Sequence, residues 1–211
     1  ATTIATADSD GTDGDLTLDV GGDIALDSET GVFIAKKNGT EFSAANSAYA
    51  GMILGYTRIQ NNDTDPGNDY ITVSNSAMTV LQTIAGTNVS VQFIVPPSGN
   101  VEIEFSFYNA ASSKGFKFSL SDNASYNELD PQHTYDADST VYIDETDHSI
   151  HTIRWAVTGL TAGTDTTYYI AGLASGTNAW IRHGDFRDSG SHSPPILVKA
   201  TALPATITTG E

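Results

Sequence analysis

The chain contains no cysteine. Disulfides, thiolate zinc sites and cysteine nucleophiles are excluded together, although that absence does not decide the compartment. Bases are scarce as well: nine Lys and Arg stand against 26 Asp and Glu, a formal net charge of −17 over 211 residues. Such a surface repels phosphate, and the only adjacent bases are Lys36 and Lys37. Nucleic-acid binding and attraction to anionic lipid are therefore set aside. No run approaches the roughly 18 apolar residues of a membrane span; Val89–Pro97 is strand-length and broken by polar residues. Neither a signal peptide nor an initiator methionine is visible, and the chain is expected to be the C-terminal piece of a longer one. Lys, Glu, Gln and Leu are few, while Thr, Ser, Asn, Asp and Gly abound. That composition depletes helix formers and enriches strand and turn residues, so almost no helix is expected.

Catalytic signatures are missing too. There is no Gly-x-Ser-x-Gly, no recognisable triad and no phosphate-cradling glycine loop leading into a helix. Some pair of carboxylates will face each other by chance among 26 acids, so no glycosidase-like pair can be named. The chain is expected not to be an enzyme.

What is present is organised in two parts. Ala1–Asp13 is small and acidic, an entry segment without apolar periodicity. A short repeat follows: Asp15-Leu-Thr-Leu-Asp-Val-Gly-Gly, Asp23-Ile-Ala-Leu-Asp-Ser-Glu-Thr-Gly and Val32-Phe-Ile-Ala-Lys-Lys-Asn-Gly. Each unit is a strand with a narrow apolar stripe, closed by a glycine turn. Such a stripe makes a core only by stacking on neighbouring repeats and other chains, or else by folding back on the head. Residues 1–46 are read as acidic linker and β-repeat stem, and 47–211 as a β-sandwich head.

In the head, strand patterns recur every 8–15 residues between Gly, Asn and Asp turns, the spacing of a sandwich or barrel. Candidate strands are 52–60, 70–73, 79–85, 89–95, 101–109, 114–121, 135–143, 148–157, 167–173, 179–183 and 195–202. Val101-Glu-Ile-Glu-Phe-Ser-Phe alternates strictly, so one face is buried and one is wet. Val89–Val95 does the same, and Pro96-Pro-Ser-Gly-Asn100 joins the two as a tight turn.

That segment, Val89 to Phe107, resembles the Phe-x-Val-Pro-x-x-Gly-x-Tyr-x-Phe hairpin of trimeric C1q- and TNF-like jelly rolls, with Val101 or Ile103 at the family's tyrosine. Thr158–Leu173 resembles the late hairpin of such domains and also the Tyr-bearing corner of fibronectin type III sandwiches. Gly14–Asp27 looks like stem repeats of phage tail fibres. The resemblance implies an all-β antiparallel sandwich with jelly-roll topology and a homotrimer at the tip of a virion fibre. It further implies upstream virion partners and adhesion to a host-surface glycan or receptor. The alternative is a monomeric secreted carbohydrate-binding or adhesion module.

The stretch Ser175–Ser193 concentrates the unusual chemistry. Trp180, Arg182, His183, Asp185, Phe186, Arg187 and His192 stand between glycine turns, and they include two of the four arginines. An aromatic ring for a sugar face beside forked donors and carboxylate acceptors makes a workable site for a carbohydrate or acidic glycan. An intersubunit contact or ordinary core packing uses the same residue types. The loop Asp122–Asp138 adds Tyr126 and Tyr135. For a metal, Asp8, Asp10, Asp13 and Asp15 suit Ca²⁺ on a flexible glycine loop, or form a merely solvated linker. Asn61–Asp69 is a second such run, and no other cofactor is expected. Five histidines, at 133, 148, 151, 183 and 192, show no His-x-His pair.

Overall fold

Alternation at period 2 becomes strand wherever one face can be buried, and the computed structural model bears this out. It describes residues 36–37, 40–41, 50–60, 70–109, 114–127, 134–135, 143–145, 149–177, 179–186 and 191–208. The chain divides into two units, Ala1–Ala35 and Lys36–Glu211. Asp8–Asp15 and the repeats, apart from Lys36–Lys37, lie outside the described residues.

Two short strands, β1 (Lys36–Lys37) and β2 (Thr40–Glu41), pair with each other. Next come β3 (Ile53–Ile59), β4 (Tyr70–Thr72), β5 (Thr79–Val80), β6 (Ser90–Ile94), β7 (Val101–Asn109) and β8 (Lys114–Ser121). They are followed by β9 (Thr134–Tyr135), β10 (Ile143–Glu145), β11 (Ser149–Val157), β12 (Asp165–Ala174) and β13 (Trp180–Arg182). The last are β14 (Gly184–Phe186), β15 (Ser191–Ser193) and β16 (Ile196–Ala202). Every pairing is antiparallel, and the described residues contain no helix.

The fold is a β-sandwich of two sheets. The front sheet runs β3-β16-β7-β11-β9, and the back sheet runs β10-β8-β12 with β6 and β5 one after the other along the far edge of β12. Traced along the chain, β3, β7, β11 and β16 go to the front, and β6, β8, β10 and β12 to the back. This is the two-sheet order of a jelly roll.

Two local readings are corrected by this order. Val89–Val95 and Val101–Asn109 are not hairpin partners, because β6 pairs with β12 and β7 with β11 and β16. The Pro96–Asn100 turn crosses between sheets, and so does Gly159–Thr164 between β11 and β12. Residues 135–143 are not one strand: β9 pairs with β11 in front, whereas β10 pairs with β8 behind. Periodicity reports which face of a strand is apolar and is silent about its neighbours.

The core lies between the sheets. Phe105 and Phe107 of β7 meet Phe118 of β8, which stacks with Phe116, all fully buried, with Phe107 and Phe118 ring centroids 4.7 Å apart. Each such ring contributes about 2–3 kcal/mol by leaving water. At one side the sheets close tightly. A Cβ on Gly55 of β3 would stand 2.3 Å from the Gln92 carbonyl oxygen and 2.9 Å from Val91 of β6, so only glycine fits. Buried Ala200 lies opposite Gly55 and keeps the same row thin.

One buried polar residue ties the loops at one end together. Asn100 donates through Nδ2 to the carbonyl oxygens of Pro204 (2.9 Å) and Ala205 (3.2 Å). Its backbone carbonyl accepts from Leu203 N–H at 2.9 Å. The C-terminal segment is thereby held against the Pro96–Asn100 turn.

Candidate functional site

Register builds the front face row by row, since directly opposed residues on antiparallel strands share a face. Glu102, Glu104, Ser106 and Tyr108 of β7 alternate with its buried residues and so point outward. Tyr108 stands opposite Ile150 of β11 and Arg182 of β13, which in turn faces Tyr70 of β4. The next outward row is Arg58–Leu197–Ser106–Thr152, and the one after it Tyr56–Lys199–Glu104–Arg154.

These rows are continuous although the strands are not. Arg182 stands opposite Tyr108 and Leu197 opposite Ser106, so β13 and β16 are two lengths of one strand along the same edge of β7. The chain between them leaves the sheet, and its β14–β15 hairpin holds Asp185 opposite His192. The neighbouring strand breaks at the same level. Ile59 pairs with Ile196 and Tyr70 with Arg182, so β3 and β4 follow one another along β16 and β13.

Trp180 and Arg182 therefore lie on one exposed face, both half-buried. The Trp180 ring lies 5.9 Å from that of Tyr70, with the planes inclined at 58°. His183 goes the other way: it is 2 % exposed, an interior residue and not a surface contact. Backbone positions of Asp185, Phe186 and His192 are set by the hairpin, while Arg187 lies outside the described residues. Tyr126 is elsewhere. Its loop follows β8, whose first residues approach Ser175 and whose last, Ser121, accepts a hydrogen bond from Asn127 N–H at 2.9 Å. Seven residues of strand rise put these ends roughly 23 Å apart. Tyr126 adopts φ 53°, a left-handed turn conformation. Tyr135 is opposite Ala156, at the edge of the front sheet and the far end of β11 from Ile150. The expected set is thus divided among three places, and only Trp180 and Arg182 are brought together on the sheet.

Residues with no distinguishing signal in the sequence complete the face. Glu104 accepts from Lys199 Nζ at 2.9 Å through Oε1 and from Arg154 Nε at 2.7 Å through Oε2. Burial pushes the Glu104 carboxyl up, but the hydrogen bonds and charges of Lys199 and Arg154 outweigh it and leave the group below the usual carboxylate range. Arg58 donates to Gln60 at the point where the strand breaks. Three of the four arginines and one of the five lysines stand on this face, against Glu102 and Glu104 as its only acids among the described residues. Tyr56, 55 % exposed, and Ile150, 61 % exposed, border it. The signal in the sequence was the outward half of each alternating strand; what was missing was which strands lie side by side.

Among the described residues no group of three or more His, Asp or Glu could hold a metal ion. The expected calcium ligands Asp8, Asp10, Asp13 and Asp15 are outside the described residues, as is Asn61–Asp69.

No family model and no curated protein matches the chain. Among solved structures it is similar to the CBM22-1 xylan-binding domain from Paenibacillus barcinonensis Xyn10C. Identity is 14 % and the TM-score 0.31, over 76 % of this chain and 100 % of that one. The β-sandwich described above rests on the strand pairings themselves.

Proposed function

We propose that this β-sandwich is a carbohydrate-binding module whose ligand lies across the front face. The observation that carries the reading is the half-buried Trp180–Tyr70 pair on the outward face of the sheet, in line with Arg182 and Tyr108. Aromatic rings offer flat apolar area to the C–H faces of a pyranose, while guanidinium donors and carboxylates take its hydroxyls. An open face of this kind suits a chain of sugars better than a single small molecule, which needs an enclosing pocket.

The setting is an adhesive one. A homotrimer at a virion fibre tip, joined to upstream virion proteins and meeting a host cell surface, multiplies a weak site by valency. The module binds and does not cleave. The test is binding of the intact chain to an immobilised glycan panel, compared with W180A and Y56A. The reading expects at least one glycan bound, with about a tenfold or greater loss in W180A, near 1.4 kcal/mol. Panel-wide silence, or binding untouched by both changes, would sink it. Light scattering after size exclusion tests the setting: a trimer supports the fibre, and a monomer favours the secreted module.

A further inference from the structure

We infer that the ligand of the front face is an anionic polysaccharide, one bearing carboxylates or sulfates, held by Arg58, Arg182 and Lys199. This rests on the carbohydrate-binding reading and names its ligand class.

The chain carries a formal charge of −17, so a face chosen at random is negative. Among the described residues, the front face instead gathers Arg58, Arg154, Arg182 and Lys199 against two glutamates. Lys117, by comparison, is an exposed base on the back sheet. Positive charge concentrated on one side of an acidic protein means that side meets negative charge. At physiological ionic strength the screening length is about 8 Å, so a ligand lying on the face feels these cations and little of the acidic remainder.

Geometry gives the cations a repeat. Arg182 and Lys199 lie in the same strand column with Leu197 between them, and Arg58 stands beside Leu197. One strand spacing combined with one two-residue step puts Arg58 about 8 Å from each of the other two. Lys199 and Arg154 are tied to Glu104, and Arg154 also lies 3.9 Å from Glu102, so these two cations are fixed in place and the surplus positive charge of the face falls to Arg58 and Arg182. Arginine on this scaffold presents paired N–H donors in a plane, a shape that matches a carboxylate or sulfate group. Tyr56, beside Lys199, supplies the apolar flank that a bare ion would not need.

The experiment is a glycan array holding matched neutral, carboxylated and sulfated members, probed with the intact chain and with R58Q, K199Q and K117Q. Thermal melts confirm that each variant is folded. Bound members are expected to be anionic, and R58Q and K199Q to weaken binding about tenfold. K117Q changes the net charge equally on the other sheet and is expected to leave binding as it was. Binding confined to neutral glycans overturns the anionic class while the carbohydrate reading stands. Equal losses in all three variants also overturn it, because net charge and not this face would then be responsible. Silence across the array takes down the carbohydrate reading itself.

Discussion

Arg182 and Leu197 occupy adjacent outward positions along one edge of β7, opposite Tyr108 and Ser106, although residues 183–196 separate them in the chain. The neighbouring strand agrees, since Tyr70 and Ile59 stand opposite Arg182 and Ile196. The sheet is thus complete without the excursion, and the hairpin is carried by a strand that would otherwise run straight on.

Deleting residues 183–195 should therefore splice β13 onto β16 in register, with Ile196 opposite Phe107. The shortened protein is expected to fold cooperatively. The loss of the buried His183 and Ser193 contacts should cost no more than about 2 kcal/mol, or roughly 4–8 °C in melting temperature. Circular dichroism melts read this directly. An aggregated or molten product would mean that the excursion is part of the core. Binding retained in the deletion would place the ligand on the sheet, whereas binding lost would give it to the hairpin.

Gly55→Ala should destabilise the fold by about 1–3 kcal/mol, because the added methyl meets backbone and not a movable side-chain tip. The contact is the 2.3 Å approach to the Gln92 carbonyl oxygen, at the side where β3 and β6 close the sandwich. Denaturant unfolding with an unchanged slope and a lower midpoint is the expected result. A midpoint equal to that of the parent would show that β6 can retreat.

Asn100→Ala leaves the Pro204 and Ala205 carbonyls without their donor inside the fold, and should cost about 1–3 kcal/mol. Hydrogen exchange locates the effect. The Leu203 amide, which donates to the Asn100 carbonyl, should exchange faster, while amides of β12 keep most of their protection. Uniform loss across the sheets would point to global destabilisation and not to release of the C-terminal segment.

Tyr168 gives the protein an alkaline limit. Its ring is buried and lies 6.0 Å from Phe93, and burial, followed by the nearby Asp122 charge, pushes its pKa from 10.0 to about 12. Between those values the folded state holds a proton that the unfolded chain has lost. Stability is accordingly full below pH 10 and falls as pH rises through about 12, by on the order of 2–3 kcal/mol. Melting temperature against pH should show this fall, and Tyr168→Phe should flatten it. A flat profile in the parent protein would contradict the buried phenol.

Much of the fold was legible in the sequence because burial on one face writes a period of two into a strand. Val101–Asn109 and Ile196–Ala202 were readable to within a residue for that reason. Trp180 and Arg182 were legible as unusual chemistry in an acidic chain poor in bases. His183 lies one residue past Arg182, where the alternation of the strand carries it into the interior.

By itself, then, the sequence determined the all-β class, the apolar face of most strands and the acidity of the whole. Tertiary structure alone decided which strands are neighbours. It sent β6 and β7 to opposite sheets across Pro96–Asn100, and brought Arg58, Glu104, Arg154, Arg182 and Lys199 onto one face from five separate stretches of chain. The reason is physical. A strand's own residues fix which side seeks the core, but its partner is chosen by how two whole sheets pack, and that choice is made among segments far apart in the chain.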